Sequence, residues 1–281
     1  MMNSLIRPMI LTAIVSIAAL LVFTVALSWF GRWDDERKGL SGAVSDGYCN
    51  IAVVPIIGDI VAYDAYYDPS GEGEPYTNTT GDWTTGYIRA AESDPNVFGT
   101  LVTIDSYGGQ ASPAFEIMHA LSTSEKPVAA YIRESGTSAA YIVALGSDEI
   151  IASPFASVGS IGVTYSYLEE TEKNNREGLR YIQLASGPYK DAGAPYKPLT
   201  DGERALFERD IEIYKNVFIT IVAERRGISE AKVAELADGS SWPASLALEE
   251  GLVDQVGDMD SVRTWFAGEL GLASEQIVFC N

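Results

Sequence analysis

Short, dense apolar runs alternate along this chain with segments whose apolar residues recur every three or four positions. The runs at residues 51–57, 99–104, 128–132 and 149–152 are rich in Val, Ile, Leu and Ala and bounded by Gly, Pro, Asp or Ser. Such runs predict strands buried on both faces. Between them, residues 84–92, residues 111–121 and a stretch beginning at Ser138 carry helical spacing, the last with Tyr141, Ile142 and Leu145. Strand, helix and strand in repeated succession predict parallel crossover units, hence an α/β fold. A further strand is predicted at residues 179–184. Thr200-Asp201-Gly202-Glu203 matches a capping box and predicts a long helix running to about Arg226. Leu206, Phe207, Ile211, Tyr214, Val217, Phe218, Ile221 and Val222 give that helix a broad apolar stripe, suited to a core or a subunit interface. Shorter helices are predicted at residues 229–237 and 244–250, and residues 277–279 form a last apolar segment.

Residues 9–30 break this pattern, because they contain no charged residue at all. A run of that length can cross a hydrocarbon core, and Trp29 and Trp33 are suited to its interface. A cleaved signal peptide is the competing reading, with Ala26-Leu27-Ser28 as the tempting site, but the run exceeds the usual signal core. The predicted organisation is therefore a tail at 1–8, a transmembrane anchor at 9–30, a juxtamembrane linker at 31–48 and a folded domain at 49–281. Residues 63–83, rich in Tyr, Gly, Asp and Thr, predict a long loop.

Composition narrows the chemistry. With 39 acidic against 19 basic residues the formal net charge is -20, which argues against nucleic-acid binding. Cys49 and Cys280 lack metal-type spacing. His119 is the only histidine, so a histidine-based metal site has no second ligand, and a Ser-His-Asp triad would have to use a residue in mid-helix. No phosphate-binding loop and no outstanding carboxylate pair appears. Serine with lysine remains. Ser138 stands among small residues at a strand-to-helix junction, where backbone N–H groups can meet a developing oxyanion, although a plain helix cap explains the same residues. Gly108-Gly109 follows a strand and can expose backbone donors or simply turn the chain. Lys190 lies in a loop flanked by Gly187, Pro188 and Gly193. A lysine serves as general base only when its surroundings lower its pKa from about 10.4 towards 7 or 8.

Four stretches in order, IDSYGGQAS, TSAAYIVALGSDEIIASPFASVGSIGV, SGPYKDAG with the following PLTDGER, and SLALEEGLVDQVG, resemble the short-form signal peptide peptidase A family, the S49 serine peptidases. The resemblance implies a ClpP/crotonase-like fold of repeated β-β-α and βαβ units behind the anchor. By position, Ser138 matches the family's nucleophile and Lys190 its general base, while Ser160 matches a residue that orients the lysine. Gly109, with Gly108 beside it, and the N–H of Ala139 match the oxyanion donors. The resemblance further implies a homo-oligomeric ring whose protomers share each dyad, and a reaction without metal or organic cofactor. Implied substrates are extended apolar peptides such as cleaved signal peptides or membrane-protein remnants.

This chain departs from the family pattern twice, with Ala139-Ala140 in place of paired glycines after the nucleophile and Tyr107 in place of proline. Those departures sustain an alternative, a catalytically inactive ring serving as a membrane scaffold or peptide-binding protein. An acyl-CoA enzyme on the same fold is a more distant option, opposed by the anchor and the Lys190 loop. Arg7 before the span against Arg32, Arg37 and Lys38 after it favours a cytoplasmic body, whereas the resemblance implies an extracytoplasmic one. The expectation follows the resemblance. An exported domain would let Cys49 pair with Cys280, and two free thiols are the alternative.

Overall fold

The computed structural model describes residues 43–63 and 78–280. The predicted tail and anchor, the linker up to residue 42, and residues 64–77 of the predicted loop lie outside the described residues. Among the described residues, no helix is long and apolar enough to cross a membrane.

The organising element is a mixed sheet containing β1 (Ile51–Val61), β2 (Thr79–Thr80), β3 (Gly99–Gly109), β4 (Val128–Thr137) and β5 (Glu149–Ala152). It is completed by β6 (Ser157–Gly159), β7 (Ser241–Pro243) and β8 (Gln255–Val256). The main path runs β2-β1-β3-β4-β5-β8, with β6 paired to β4 and β7 to β6. Every pairing is parallel except β6 with β7. The crossovers predicted from the alternating pattern are therefore present.

Both faces of the sheet are covered, which explains why its strands read as unbroken apolar runs. Because side chains alternate along a strand, neighbours in sequence enter different layers. Val54, Val102, Ile104, Ala130 and Ile132 join Ile117, Leu121 and Tyr141 in the larger core. Ile51, Leu101, Ala129 and Ile151 meet Val262, Phe266 and Ile277 on the opposite face. The larger core is supplied by α1 (Gly81–Ser93), α2 (Ala111–Ser122), α3 (Ala139–Ala144) and part of the long helix described below.

Three sequence expectations need correction. The loop expected at residues 63–83 ends early, since Thr79–Thr80 form β2 and α1 begins at Gly81. Residues 179–184 form no strand; Leu179, Ile182 and Leu184 are 57%, 59% and 94% exposed, with no sheet edge beside them in the chain. The second face of the sheet is closed by a helix that the pattern did not announce. After α4 (Thr171–Arg176), α5 (Asp201–Arg226), α6 (Glu230–Leu236) and α7 (Ala244–Glu249) comes α8 (Met259–Leu270). Asp258 caps it by accepting from the N–H groups of Asp260 (3.0 Å) and Ser261 (3.1 Å). Its buried residues Val262 and Phe266 are one turn apart. Phe266 packs so tightly on β3 that a methyl group at Gly99 would lie 2.8 Å from its ring.

The capping box predicted for the long helix is present, with Thr200 and Glu203 bonding reciprocally. Only the C-terminal half of α5 enters the core, through Phe218, Ile219, Val222 and Ala223. Arg226 locks that end: it grips Asp254 through Nη1 (3.0 Å) and Nη2 (2.6 Å) while its Nε donates to the Gly251 carbonyl (2.8 Å). The beginning and the end of the folded domain are also joined. Cys49 and Cys280 form a disulfide across a sequence separation of 231, and the Cys280 N–H donates to the Ile51 carbonyl at 2.8 Å.

Candidate active site

The site lies where β3, β4 and β6 continue past their apolar runs. Ser106 pairs with Gly136, and Thr137 with Gly159, so the polar ends of these strands stay in the ladder. Ser138 follows immediately as the residue before α3. Its backbone takes φ 53 and ψ -125, one of two positive-φ positions among the described residues not occupied by glycine. That conformation is strained for a residue with a Cβ and persists only when its surroundings enforce it.

Four hydrogen bonds enforce it. The Ser138 N–H donates to the Gly159 carbonyl at 2.7 Å. The Ser138 carbonyl accepts from Tyr141 (3.0 Å) and Ile142 (3.2 Å), starting the helix. Thr137 Oγ1 donates to the Tyr107 carbonyl at 3.1 Å, which ties the glycine turn of β3 to the serine elbow. Together they turn Ser138 into the mouth of a cleft instead of letting it continue the strand.

The glycine turn completes the geometry. Gly108 has φ 119, and a methyl placed on it would lie 2.9 Å from Ser138 Cβ and 3.0 Å from the Ala139 nitrogen. Gly109 has φ 146, and a methyl there would lie 2.3 Å from the Ile60 carbonyl oxygen. Both positions thus require glycine, for close backbone approach as well as conformation. The two are not equivalent as donors. The Gly108 N–H is directed to Ser106 Oγ (3.1 Å), which itself donates to the Gly58 carbonyl (2.6 Å). Gly109 lines the Ser138 cleft, and Gly108 forms its backing.

The cleft, about 1330 Å³, is lined by Gly109, Ser138, Ala139 and Ser160 together with apolar side chains that include Phe115, Ile142 and Phe218. Ser160 is the other positive-φ non-glycine, at φ 49; its hydroxyl donates to the Gly239 carbonyl at 2.9 Å. Asp238 sits on the rim. Hydrogen bonds from the Ser240 hydroxyl (2.6 Å) and N–H (2.8 Å) hold its carboxyl below the usual carboxylate range.

Lys190 does not line this cleft within one chain; it is exposed, in the turn between Tyr189 and Ala192. Lys215 of α5 does line it. Sequence reasoning passed over Lys215, although it stands four residues after Ile211 on the apolar face, an unusual place for an ammonium group. His119 is exposed on α2, stacked against Phe115 and outside the cleft. Among the described residues, no cluster of His, Cys, Asp and Glu has a metal-binding arrangement.

The model of peptidase family S49 matches residues 120–273, more than half of the chain and a span that includes Ser138, Ser160 and Lys190. The chain belongs to peptidase family S49. A Methanocaldococcus jannaschii protein named as a protease is 29% identical over 247 residues, covering 86% of this chain and 78% of the relative. An Enterococcus faecium protein named signal peptide peptidase SppA is 30% identical over 60% of this chain and 50% of its own length. Protease 4 of Salmonella typhi is 29% identical over 68% of this chain, but this S49 chain spans only 31% of that larger protein. Among solved structures, a serine-to-alanine variant of the membrane-bound stomatin-specific protease 1510-N has the same fold. It superposes with a TM-score of 0.50 at 20% identity, over 83% of this chain and 93% of the other.

Proposed function

We propose that this S49 peptidase is a membrane-anchored serine endopeptidase in which Ser138 of one protomer works with Lys190 of its neighbour. The observation that carries the reading is the enforced positive-φ conformation of Ser138 at the cleft mouth, with the Gly108 backbone packed against it. A strained serine held beside backbone donors is the arrangement a nucleophile needs and a mere helix cap does not.

In this mechanism, neutral Lys190 Nζ accepts the Ser138 Oγ proton as the oxygen attacks the substrate carbonyl carbon. Negative charge developing on the carbonyl oxygen meets the N–H groups of Ala139 and Gly109. Collapse of the tetrahedral intermediate breaks the C–N bond, and the lysine proton passes to the leaving amine. Water then gives a proton to Lys190 as it attacks the acyl-serine ester; the acyl C–Oγ bond breaks, the lysine returns that proton to Ser138 Oγ, and the acid product leaves as its carboxylate. Ser160 Oγ, which donates to Gly239, retains lone pairs that can accept from the lysine amine and orient it.

A shared dyad accounts for an exposed Lys190 outside its own cleft. Leu179, Ile182 and Leu184 on the segment leading to Lys190, with Tyr214 and Val217 on α5, are exposed apolar surface suited to burial against a second copy in a ring. The apolar part of the cleft wall, which includes Phe115, Ile142 and Phe218, suits extended apolar peptides such as cleaved signal peptides or membrane-protein remnants. Residues 9–30 would hold the ring on the bilayer with its catalytic domain extracytoplasmic. A second reading follows from Lys215, which supplies an amine to the cleft within one chain.

The test uses the full chain in detergent with a fluorogenic signal-peptide substrate. Ser138→Ala and Lys190→Ala should each abolish cleavage, and mixing the two variants should restore part of it, because some sites in mixed rings receive both intact residues. Lys215→Ala should remain active. Loss with Lys215→Ala but not Lys190→Ala would transfer the base to α5, and failure of the mixture to recover would remove the shared dyad. A wild-type chain that cleaves nothing leaves the inactive scaffold.

A further inference from the structure

Lys190 lies in a segment without regular secondary structure, yet a base must meet its serine to within a fraction of an ångström. The adjoining residue supplies a support. Asp191 Oδ2 accepts from the Tyr181 hydroxyl at 2.9 Å, and its Oδ1 accepts from Gln183 Nε2 at 2.5 Å and faces Lys197 Nζ at 3.4 Å. Lys197 Nζ in turn donates to Glu203 Oε1. Glu203 is only 1% exposed, and its Oε2 accepts from the Thr200 N–H and hydroxyl, both at 2.9 Å. An unbroken polar path thus leads from the residue beside Lys190 to the first turn of α5, whose far end is rooted in the core.

Packing follows the same line. A methyl at Gly193 would lie 2.6 Å from the Tyr165 hydroxyl and 3.1 Å from the Phe207 ring, and Gly193 has φ 77. Tyr165 stacks on Phe207 with centroids 4.3 Å apart, while the Tyr189 ring lies over Gly202. Residues on both sides of Lys190 are thereby seated on the start of α5.

We propose that Lys197, bridging Asp191 and the buried Glu203, is a positioning residue that presents Lys190 to the neighbouring protomer's serine. The inference rests on Lys190 being the base. One cation stands between two carboxylates, so its removal sets Asp191 and Glu203 against each other and leaves Glu203 buried without its partner. The Lys190 turn then loses its register on α5, although the Lys190 side chain itself is unchanged.

The experiment compares wild type, Lys197→Met, Lys197→Arg, Ser138→Ala and Lys190→Ala as full-length chains in detergent. Steady-state cleavage of the signal-peptide substrate and the rate of Ser138 labelling by a fluorophosphonate are both read. Misplacement of a catalytic group by about 1 Å costs roughly 100-fold. Lys197→Met should therefore lower kcat and the labelling rate by about 10- to 100-fold, with KM within about twofold of wild type. Lys197→Arg, which preserves the charge, should recover most of that loss. A Lys197→Met chain with wild-type kcat, alongside inactive Ser138→Ala and Lys190→Ala, overturns the positioning role while the dyad stands. Activity persisting in Lys190→Ala overturns both, whatever Lys197→Met does. If Lys197→Met no longer melts cooperatively, Asp191→Asn decides the question, since it leaves the Lys197–Glu203 pair in place. The same fall in kcat supports the role, and unchanged kcat overturns it.

Discussion

Replacing Ser138 by glycine should silence the peptidase and stabilise its fold at the same time. At φ 53 and ψ -125 the serine backbone is strained, by an amount on the order of 2 kcal/mol. Glycine removes that strain, but its greater freedom in the unfolded chain costs about 0.7 kcal/mol. It also loses the Cβ contact with Gly108; for a half-buried carbon this amounts to about 0.4 kcal/mol. A net gain of about 1 kcal/mol remains, which should raise Tm by roughly 2–4 °C in a folded unit of this size. Ser138→Ala is the reference, because it removes the hydroxyl while retaining both the Cβ and the strain. Both variants should be inactive, so calorimetric melts of the two oxidised proteins isolate the backbone term. A glycine variant melting at or below the alanine variant would refute the claim that the elbow is strained, and with it the observation on which the nucleophile assignment stands.

Two further outcomes follow from the architecture. Cleaving the Cys49–Cys280 bond frees a chain separation of 231 residues, for which loop entropy sets an upper figure of about 5 kcal/mol. Reductant should therefore lower Tm by roughly 10 °C and expose two alkylatable thiols by intact mass, and an unchanged melt would show that the bridge contributes little. The Glu203 carboxyl is held down to about 2, first by the Lys197 hydrogen bond and then by Thr200. A depressed folded-state value gives stability that is full above the ordinary value of 4.5 and lost as pH falls from there through about 2. Denaturation midpoints measured from about pH 6 down to pH 3 should decline, and Glu203→Gln should flatten that limb; parallel limbs in both proteins would refute the assignment.

Residues whose role depends on local chemistry were legible in the chain. The runs beginning at Ile51, Gly99, Val128 and Glu149 all become strands, because sheet burial on both faces demands uninterrupted apolar sequence. Thr200 with Glu203 announces the long helix by a bond pattern contained within four residues. Gly108, Gly109 and Ser138 stand out in the chain as small residues at strand ends, but a tight turn and a helix cap explain the same pattern, and only the family resemblance singled them out. Strand ends were less legible. β1, β3 and β4 extend to Val61, Gly109 and Thr137 through polar residues, since a ladder needs backbone partners and not apolar side chains.

By itself, the sequence determined an α/β chain of parallel crossovers, a serine among small residues, and a charge balance unsuited to nucleic acid. Tertiary structure alone decided that α8 closes the second face, that residues 179–184 remain outside any sheet, and that Cys49 meets Cys280. It also brought Lys215 to the Ser138 cleft and joined Asp191, Lys197 and Glu203. The division has a physical cause: periodicity records which side of an element is buried and local bonds record where it begins. The partner across a gap is chosen by the packing of the whole chain, and no local pattern carries that choice.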